Sequence, residues 1–353
     1  MKKNGIHDIA RLANVSIGTV DRALHNRKGI SENTRQRVLK ISEALGYRPN
    51  LAARALSAGR SPIRIGVSIP RELRRYFDQL RNGLMSEARR FEHLGIEIIW
   101  RPTERLGIRE VEVVSALLND GIRALIIVPG DPTSLAPVID AAERNGTRVI
   151  CVDTDAPGTS RSTVVCVNAE VSGRLAAELM GRFVKPQAEV AIITGMLQVE
   201  HHSNKTKGFC DLFPQLCQGG RVLKILEAHD NEEEAFQKTC ALLDTHKSLA
   251  GIYVNTGNVL PVCRAVDALG LSGKITLITT ELYEEMIPFF EKGTIFATLT
   301  GRAFAQGQIA LQLVVEHFLS GAPFPPQRFL APQVVLRSNV HLFPETTQSK
   351  AMG

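Results

Sequence analysis

The sequence has no run of about 18 apolar residues, so no segment reads as a membrane-spanning helix. Aromatic residues are scarce, 5 % of the chain with a single Trp, so any core must be packed from aliphatic side chains. There is no CxxC pair. Cys151, Cys166, Cys210, Cys217, Cys240 and Cys263 stand singly, in or beside apolar stretches. That spacing points to reduced structural thiols and away from a zinc site or a disulfide frame. The opening MKKNGIHDIARLA has charge but no apolar segment of signal-peptide type, so a cytoplasmic location is expected. No Walker loop, GxGxxG, HExxH or GxSxG elbow occurs, so no enzyme, cofactor or metal site is expected. His201-His202 follows a strand end without a second ligand cluster. A helix-start or ligand-facing role is expected there, ahead of metal binding.

What is present is a chain of 353 residues, 44 % hydrophobic, long enough for more than one domain. Its charge is segregated. Residues 1–61 hold 12 Lys and Arg against 4 Asp and Glu, a net of +8. The remainder holds 30 basic and 32 acidic residues, a net of −2. A basic segment ahead of a near-neutral body points to a polyanion as partner for that segment.

The basic segment reads as three short helices. His7–Ala13 puts Ile9 and Leu12 on one face, and Asn14 breaks it. Ser16 has the position of an N-cap, with Val20 and Leu24 on one face of the helix that follows. The opposite face shows Ile17, Gly18, Asp21, Arg22 and His25. Ser31 caps a third helix through Val38, Ile41 and Leu45, ending at Gly46. A tight turn between the first two helices gives the helix-turn-helix layout, whose second helix enters the DNA major groove. A purely structural bundle would explain the apolar spacing, but neither the charge nor the arginine and short polar side chains at the start of helix two.

The stretch DIARLANVSIGTVDRALHNRKGISENTRQRVLKISEALGYRPNLAARALSAGRS resembles the N-terminus of the lactose-repressor (LacI/GalR) family of bacterial transcription regulators. The match runs without a gap from about residue 6 to 61. It includes the V-S-x-x-T-V-x-R core at Val15–Arg22 and the GYxPN…A..L element at Gly46–Leu56. The resemblance implies that Ile17, Gly18 and Arg22 face base edges, Arg22 donating to guanine O6 and N7. It implies phosphate contacts from Ser16, Thr19, Asn26 and Arg35, which position without specifying; for Thr19, capping or packing competes. Asn50 belongs to the same DNA-contacting set. Residues 49–61 would be a hinge, helical over PNLAARALSAG when on DNA, with Leu56 wedged into the minor groove. Ile17 and Gly18 replace the larger polar residues of many relatives, so the half-site sequence is expected to differ.

From Pro62 the pattern becomes alternating strand and helix. Strand-like runs are IRIGVSIP (63–70), IEIIW (96–100), RALIIVP (123–129), RVICVD (148–153), VAIITG (190–195), VLKILE (222–227), LAGIYV (249–254) and ITLITT (275–280). Amphipathic runs such as Asp78–Leu94, Val171–Val184 and Glu232–Thr245 lie between them. Strands separated by helices predict parallel sheets covered on both faces, here two doubly wound lobes, with ligands at the carboxyl ends of the strands. The expected fold is therefore α/β behind an all-α headpiece. Residues 1–48 form the DNA-binding domain and 49–61 the linker. Lobe one takes about 62–166 and 302–327, lobe two about 167–301 and 328–340, and 341–353 a flexible tail.

This segment is similar to the periplasmic sugar-binding-protein fold of the ribose type, through VICVDTDAPGTSRSTVVCVNAEVSGRLAAELM (149–180), KGFCDLF (207–213) and GTIFATLTG (293–301). The resemblance assigns Tyr76 and Phe77 to stacking on a sugar, with Ser68 and Arg74 nearby, and Asp153 to accepting sugar hydroxyls. Lys205 stands where an arginine is usual, Thr154 where an arginine is frequent, Glu281 in place of an aspartate and Gly301 where a glutamine is common. Asn255 or Thr256 matches a polar strand-end residue. These departures predict a hydroxyl pattern unlike that of ribose. Arg71, Arg74 and Arg75 leave room for an acidic or phosphorylated sugar, a solvated helix start being the competing reading. The tail HLFPETTQSKAMG lacks the leucine heptads some relatives use for tetramers, so a dimer is expected. The implied function is an operator-binding homodimer, expected to repress, controlled by a sugar, sugar acid or sugar phosphate. A solute-binding transport protein and a sugar enzyme are the rival readings; truncation of residues 1–61 separates them.

Overall fold

The computed structural model describes residues 6–24, 28–45 and 62–343. His25, Asn26, Gly46, Asn50, Leu56, the 49–61 linker and residues 344–353 of the tail lie outside them.

In the headpiece, α1 (Ile6–Ala13), α2 (Ile17–Leu24) and α3 (Glu32–Ala44) enclose Ile9, Ala13, Val20, Ala23 and Val38. Asn14 makes the tight turn with a left-handed backbone, φ 49°, a conformation Asn tolerates better than most residues. Both expected caps form. Ser16 Oγ accepts from the Thr19 amide at 3.1 Å and Ser31 Oγ from the Thr34 amide at 3.2 Å. Each satisfies an amide that a helix start otherwise leaves without a partner, worth about 1 kcal/mol.

The first half of the body runs β1 (Ile63–Ser68), α4 (Arg74–Phe91), β2 (Ile96–Trp100), α5 (Glu110–Asn119), β3 (Ala124–Ile127), α6 (Pro132–Arg144), β4 (Arg148–Val152) and β5 (Thr163–Val167). The second half runs α7 (Ala169–Phe183), β6 (Glu189–Thr194), α8 (Glu200–Leu216), β7 (Arg221–Glu227), α9 (Glu232–Thr245), β8 (Gly251–Val254), α10 (Leu260–Ala268), β9 (Thr276–Thr280), α11 (Ile287–Glu291) and β10 (Ala297–Thr300). Then come α12 (Ala303–Ser320), β11 (Arg328–Leu330) and β12 (Gln333–Val335).

Two six-stranded sheets result, in the orders β11-β5-β4-β3-β1-β2 and β12-β10-β9-β8-β6-β7. The pairs β1–β3, β3–β4, β4–β5 and β5–β11 are parallel. So are β6–β7, β6–β8, β8–β9 and β9–β10, while β12 lies antiparallel on β10. The order is the same in both sheets, so each reverses direction beside its first strand and opens a crevice at the strands' carboxyl ends. β11 pairs with the first sheet, so the chain passes to the second sheet after Leu330, a few residues beyond the expected boundary at 327/328. β3 and β8 are buried at every residue, the mark of strands covered on both faces.

Leu117, Leu125, Ile139, Val149 and Val164 centre the core beside the first sheet. Beside the second, Phe209 stacks on Phe213 and Tyr253 with ring centroids 5.4 and 5.0 Å apart. Here α7 and α8 meet backbone to backbone. A Cβ on Gly173 would lie 1.9 Å from the Lys205 carbonyl oxygen, and one on Gly208 2.2 Å from that of Glu170. This contact sets the depth of α8, whose first turns carry His201, His202 and Lys205.

Gly173→Ala should therefore push α8 outward. We expect a loss of about 1–3 kcal/mol in a urea titration, as for other overpacked sites. An unchanged midpoint would show that the close approach is not what seats α8.

Candidate functional site

Three carboxylates reach the crevice from corresponding parts of the fold. Asp153 follows β4 with φ 68° and Glu281 follows β9 with φ 67°. Their amides donate to Val165 O and Leu299 O, both at 2.9 Å, so the two residues occupy equivalent positions in the two sheets. Asp230, just beyond β7, is also left-handed at φ 50°. Non-glycine residues held this way store of order 1–3 kcal/mol each, strain typical of functional sites.

Around them lies a cavity of about 40 Å³. Leu73, Tyr76, Phe77, Leu106, Asp153 and Thr154 line it from the first half, and Val199, His201, His202, Lys205, Asp230, Gly257 and Glu281 from the second. Leu106 is held at its edge by its amide, which donates to Glu72 Oε1 at 2.5 Å. Many of the polar groups are paired. Tyr76 Oη donates to Asp153, Thr256 Oγ1 to Asp230, and Thr154 Oγ1 to Pro129 O at 2.6 Å. The Gly301 amide donates to Glu281 Oε2 at 3.2 Å. A ligand entering this space must replace such bonds with equally good ones.

Of the residues named from sequence, Tyr76, Phe77, Asp153, Thr154, Lys205 and Glu281 meet at the cavity. Asn255 and Thr256 stand one layer behind. Asn255 Nδ2 donates to Thr206 Oγ1 at 2.7 Å and to His202 O at 3.2 Å, while Thr256 holds Asp230. Gly301 acts through its amide on Glu281. Ser68, buried at the end of β1, and Arg74, exposed on α4, do not line the cavity. Arg71 pairs with Glu104 at 2.8 Å. Asp230, His201 and His202 are the other titratable groups in the lining; the doublet His201-His202 was the one sequence signal for the histidines, and none marked Asp230.

Burial sets the protonation of the site. Desolvation raises Asp153, opposed by the Tyr76 hydrogen bond and by Lys205. It lowers Lys205, against the pull of Glu281, Asp153 and Asp230. It pushes His201 well below the usual imidazole range, helped by Lys205, and lowers His202 as well. His202 Nδ1 lies 3.1 Å from the Met196 amide nitrogen and 3.2 Å from its carbonyl oxygen, so the Met196 backbone orients the ring.

The two halves are also tied across the crevice. From α4, Arg75 Nε donates to Glu285 Oε1 at 2.8 Å and Arg75 Nη1 to Glu232 Oε1 at 3.1 Å. Gln79 Nε2 donates to Leu282 O at 2.9 Å. The charged groups are 45–52 % exposed, so this tie is weak and screened by salt.

In the headpiece, Ile17, Gly18 and Arg22 are exposed on α2. A Cβ on Gly18 would lie 3.8 Å from Arg22 Nη1 and from Ser16 Oγ, so the glycine leaves the guanidinium room on the outer face. Ser16 and Thr19 share a hydroxyl–hydroxyl bond of 2.9 Å, which gives Thr19 a part in the cap. Arg35 lies 3.4 Å from Glu32.

The geometry is that of a two-sheet binding cleft in a chain that also bears a helix-turn-helix. Residues 65–322 match the periplasmic binding protein domain family, and residues 5–50 the bacterial regulatory proteins, lacI family. The chain belongs to the periplasmic binding protein domain family and carries a lacI-family helix-turn-helix domain. It is 33 % identical over 123 residues to catabolite control protein A of Streptococcus mutans, covering 35 % of this chain and 36 % of that one. It is 23 % identical over 252 residues to the protein of the same name in Priestia megaterium, covering 71 % and 73 %. The match thus spans just over a third of the first relative's length. In fold it resembles a glucose-galactose binding protein from Geobacillus stearothermophilus, with TM-score 0.73, 22 % identity, and 80 % of this chain and 99 % of that one covered. No helix among the described residues is long and apolar enough to cross a membrane.

The histidines generate a pH dependence. Held neutral when folded, they bind fewer protons below the ordinary value of 6.5 than they do unfolded, so stability must fall as pH drops through that range. The slope approaches about 1.4 kcal/mol per pH unit for each histidine. Asp153, raised from 3.8, has the opposite sign just above that value, which makes the variant comparison decisive. Thermal melts of the wild type between pH about 7 and 5.5 should steepen toward acid, and His201→Gln should flatten them. Parallel curves would mean that His201 is not held neutral.

Proposed function

We propose that this chain is a sequence-specific DNA-binding transcription regulator whose cleft takes a small polyhydroxylated effector. The observation that carries the reading is the union, in one chain, of a capped helix-turn-helix exposing Arg22 with a cavity that gathers Tyr76, Asp153, Lys205 and Glu281 at two sets of strand ends. The names of the relatives, catabolite control proteins on one side and a sugar-binding protein on the other, support both halves. In this reading residues 1–48 bind DNA, 49–61 link, and 62–340 bind effector. The protein acts in the cytoplasm as a homodimer on a near-palindromic operator, which it represses. Effector shifts the DNA-competent population by its differential affinity for closed and open clefts, and no further. The Arg75 tie adds a small bias toward closure.

An operator selected from random DNA by the full-length protein should be two-fold symmetric, and affinity for it should fall steeply with salt. Arg22→Ala should lose about 1–3 kcal/mol and relax one base position per half-site. Salt-independent binding, or an unaltered sequence preference, would refute the base-reading role. Arg75→Ala should weaken effector binding several-fold, more at low salt than at high. Equal loss at all salt concentrations would point to direct ligand contact rather than a tie.

A further inference from the structure

The charge in the cavity is lopsided. Asp153, Asp230 and Glu281 share it with one ammonium, that of Lys205. Arg71 pairs with Glu104, Arg75 with Glu285 and Glu232, and Arg74 is exposed. Thr154, directly after Asp153, is neutral and spends its hydroxyl on Pro129 O. Lys205 is 4 % exposed and lines the same space, with Glu281, Asp153 and Asp230 as the opposite charges acting on it. The space therefore holds three carboxylates, two of them buried and one half-buried, against one ammonium. Tyr76, Phe77, Leu73 and Leu106 add the apolar wall against which the C–H face of a ring can lie.

Resting on the reading of this cavity as the effector site, we infer that the effector is a polyhydroxylated amine, an amino sugar or amino polyol. Its ammonium sits among Asp153, Asp230 and Glu281, and one of its hydroxyls accepts from Lys205. Buried charge must be paired to be tolerated. A phosphate or carboxylate on the ligand would find Lys205 but would add to the excess of like charge. A neutral hexose would leave that excess of negative charge in the cavity as it is. An ammonium offsets it and makes charge-assisted bonds to carboxylates that are already fixed in place by their strand ends. The histidines do not compete for this role, since burial disfavours their cationic form.

The test is calorimetric titration of the full-length protein with D-glucosamine, D-galactosamine, D-mannosamine and D-glucamine. Each is compared with its hydroxyl counterpart and with the corresponding hexose 6-phosphates and hexonates. We expect at least one amine to bind ten-fold or more tightly than its counterpart. Asp230→Asn, which keeps the left-handed backbone acceptable and an oxygen for Thr256, should weaken the amine more than its hydroxyl counterpart and so reduce that preference to about three-fold or less. Preferred binding of a neutral sugar, a phosphate or a hexonate would overturn the amine assignment and leave the effector-site reading standing. So would binding of none of the amines. A compound that alters operator binding but whose affinity is untouched by Asp153→Ala and Asp230→Asn would overturn the effector-site reading itself.

Discussion

Asp153, Asp230 and Glu281 cannot leave the cavity, because each is placed by the backbone at the end of a strand and not by a flexible side chain reaching in from a helix. Much of the site answers that constraint. Tyr76 supplies a hydroxyl to Asp153, Thr256 one to Asp230, and the Gly301 amide one proton to Glu281. Lys205 is brought in on α8, and α8 can come that close only because Gly173 and Gly208 have no side chains. The aliphatic cores beside the two sheets hold the strand ends rigid, so the carboxylates are preorganised rather than recruited by ligand.

The same arrangement carries strain. A left-handed Glu is less comfortable than a left-handed Asp or Asn, and Glu281 adopts it at the position equivalent to Asp153. A glycine there would relax the backbone and lose the charge. That a carboxylate occupies both equivalent positions argues that the two halves face one ligand from opposite sides. Arg75 and Gln79 join the two halves beside it with exposed bonds that are easily released.

The fold was legible because its signals are periodic and repeated. Every strand expected from an apolar run formed, and Glu232–Thr245 appeared as a helix with the expected ends. The helix expected from Asp78 instead starts at Arg74, because an apolar stripe reveals a buried face but not where the first turn begins. The short strands β10, β11 and β12 carry too few residues for a period to show. In the cavity, Asp153 was readable as the end of an apolar strand, and Glu281 and Lys205 only through the resemblance to sugar-binding proteins. Asp230 was not. It sits in AHDNEEEA, where Asn231 caps α9 and the glutamates favour its first turn, so the aspartate looks like one more surface charge. Ser68 and Arg74 stand near the right loop, but α4 turns Tyr76 and Phe77 inward and Arg74 outward, and only the helix phase decides that.

Charge segregation links the two ends of the chain. A net of +8 over residues 1–61 draws phosphate to the headpiece, and a net of −2 elsewhere keeps the body from competing for it. Within the cavity Asp153 and Glu281 are buried, so their charge is little screened by water. A phosphate-rich polymer and a small effector can then be handled by one chain without confusion. The headpiece selects for anions through exposed, screened charges that respond to salt. On the proposed reading, the cavity selects against them through carboxylates held at strand ends. Exchanging those environments would fail in both places, because exposed carboxylates would repel DNA and a buried arginine cluster would accept any small phosphate the cell offers.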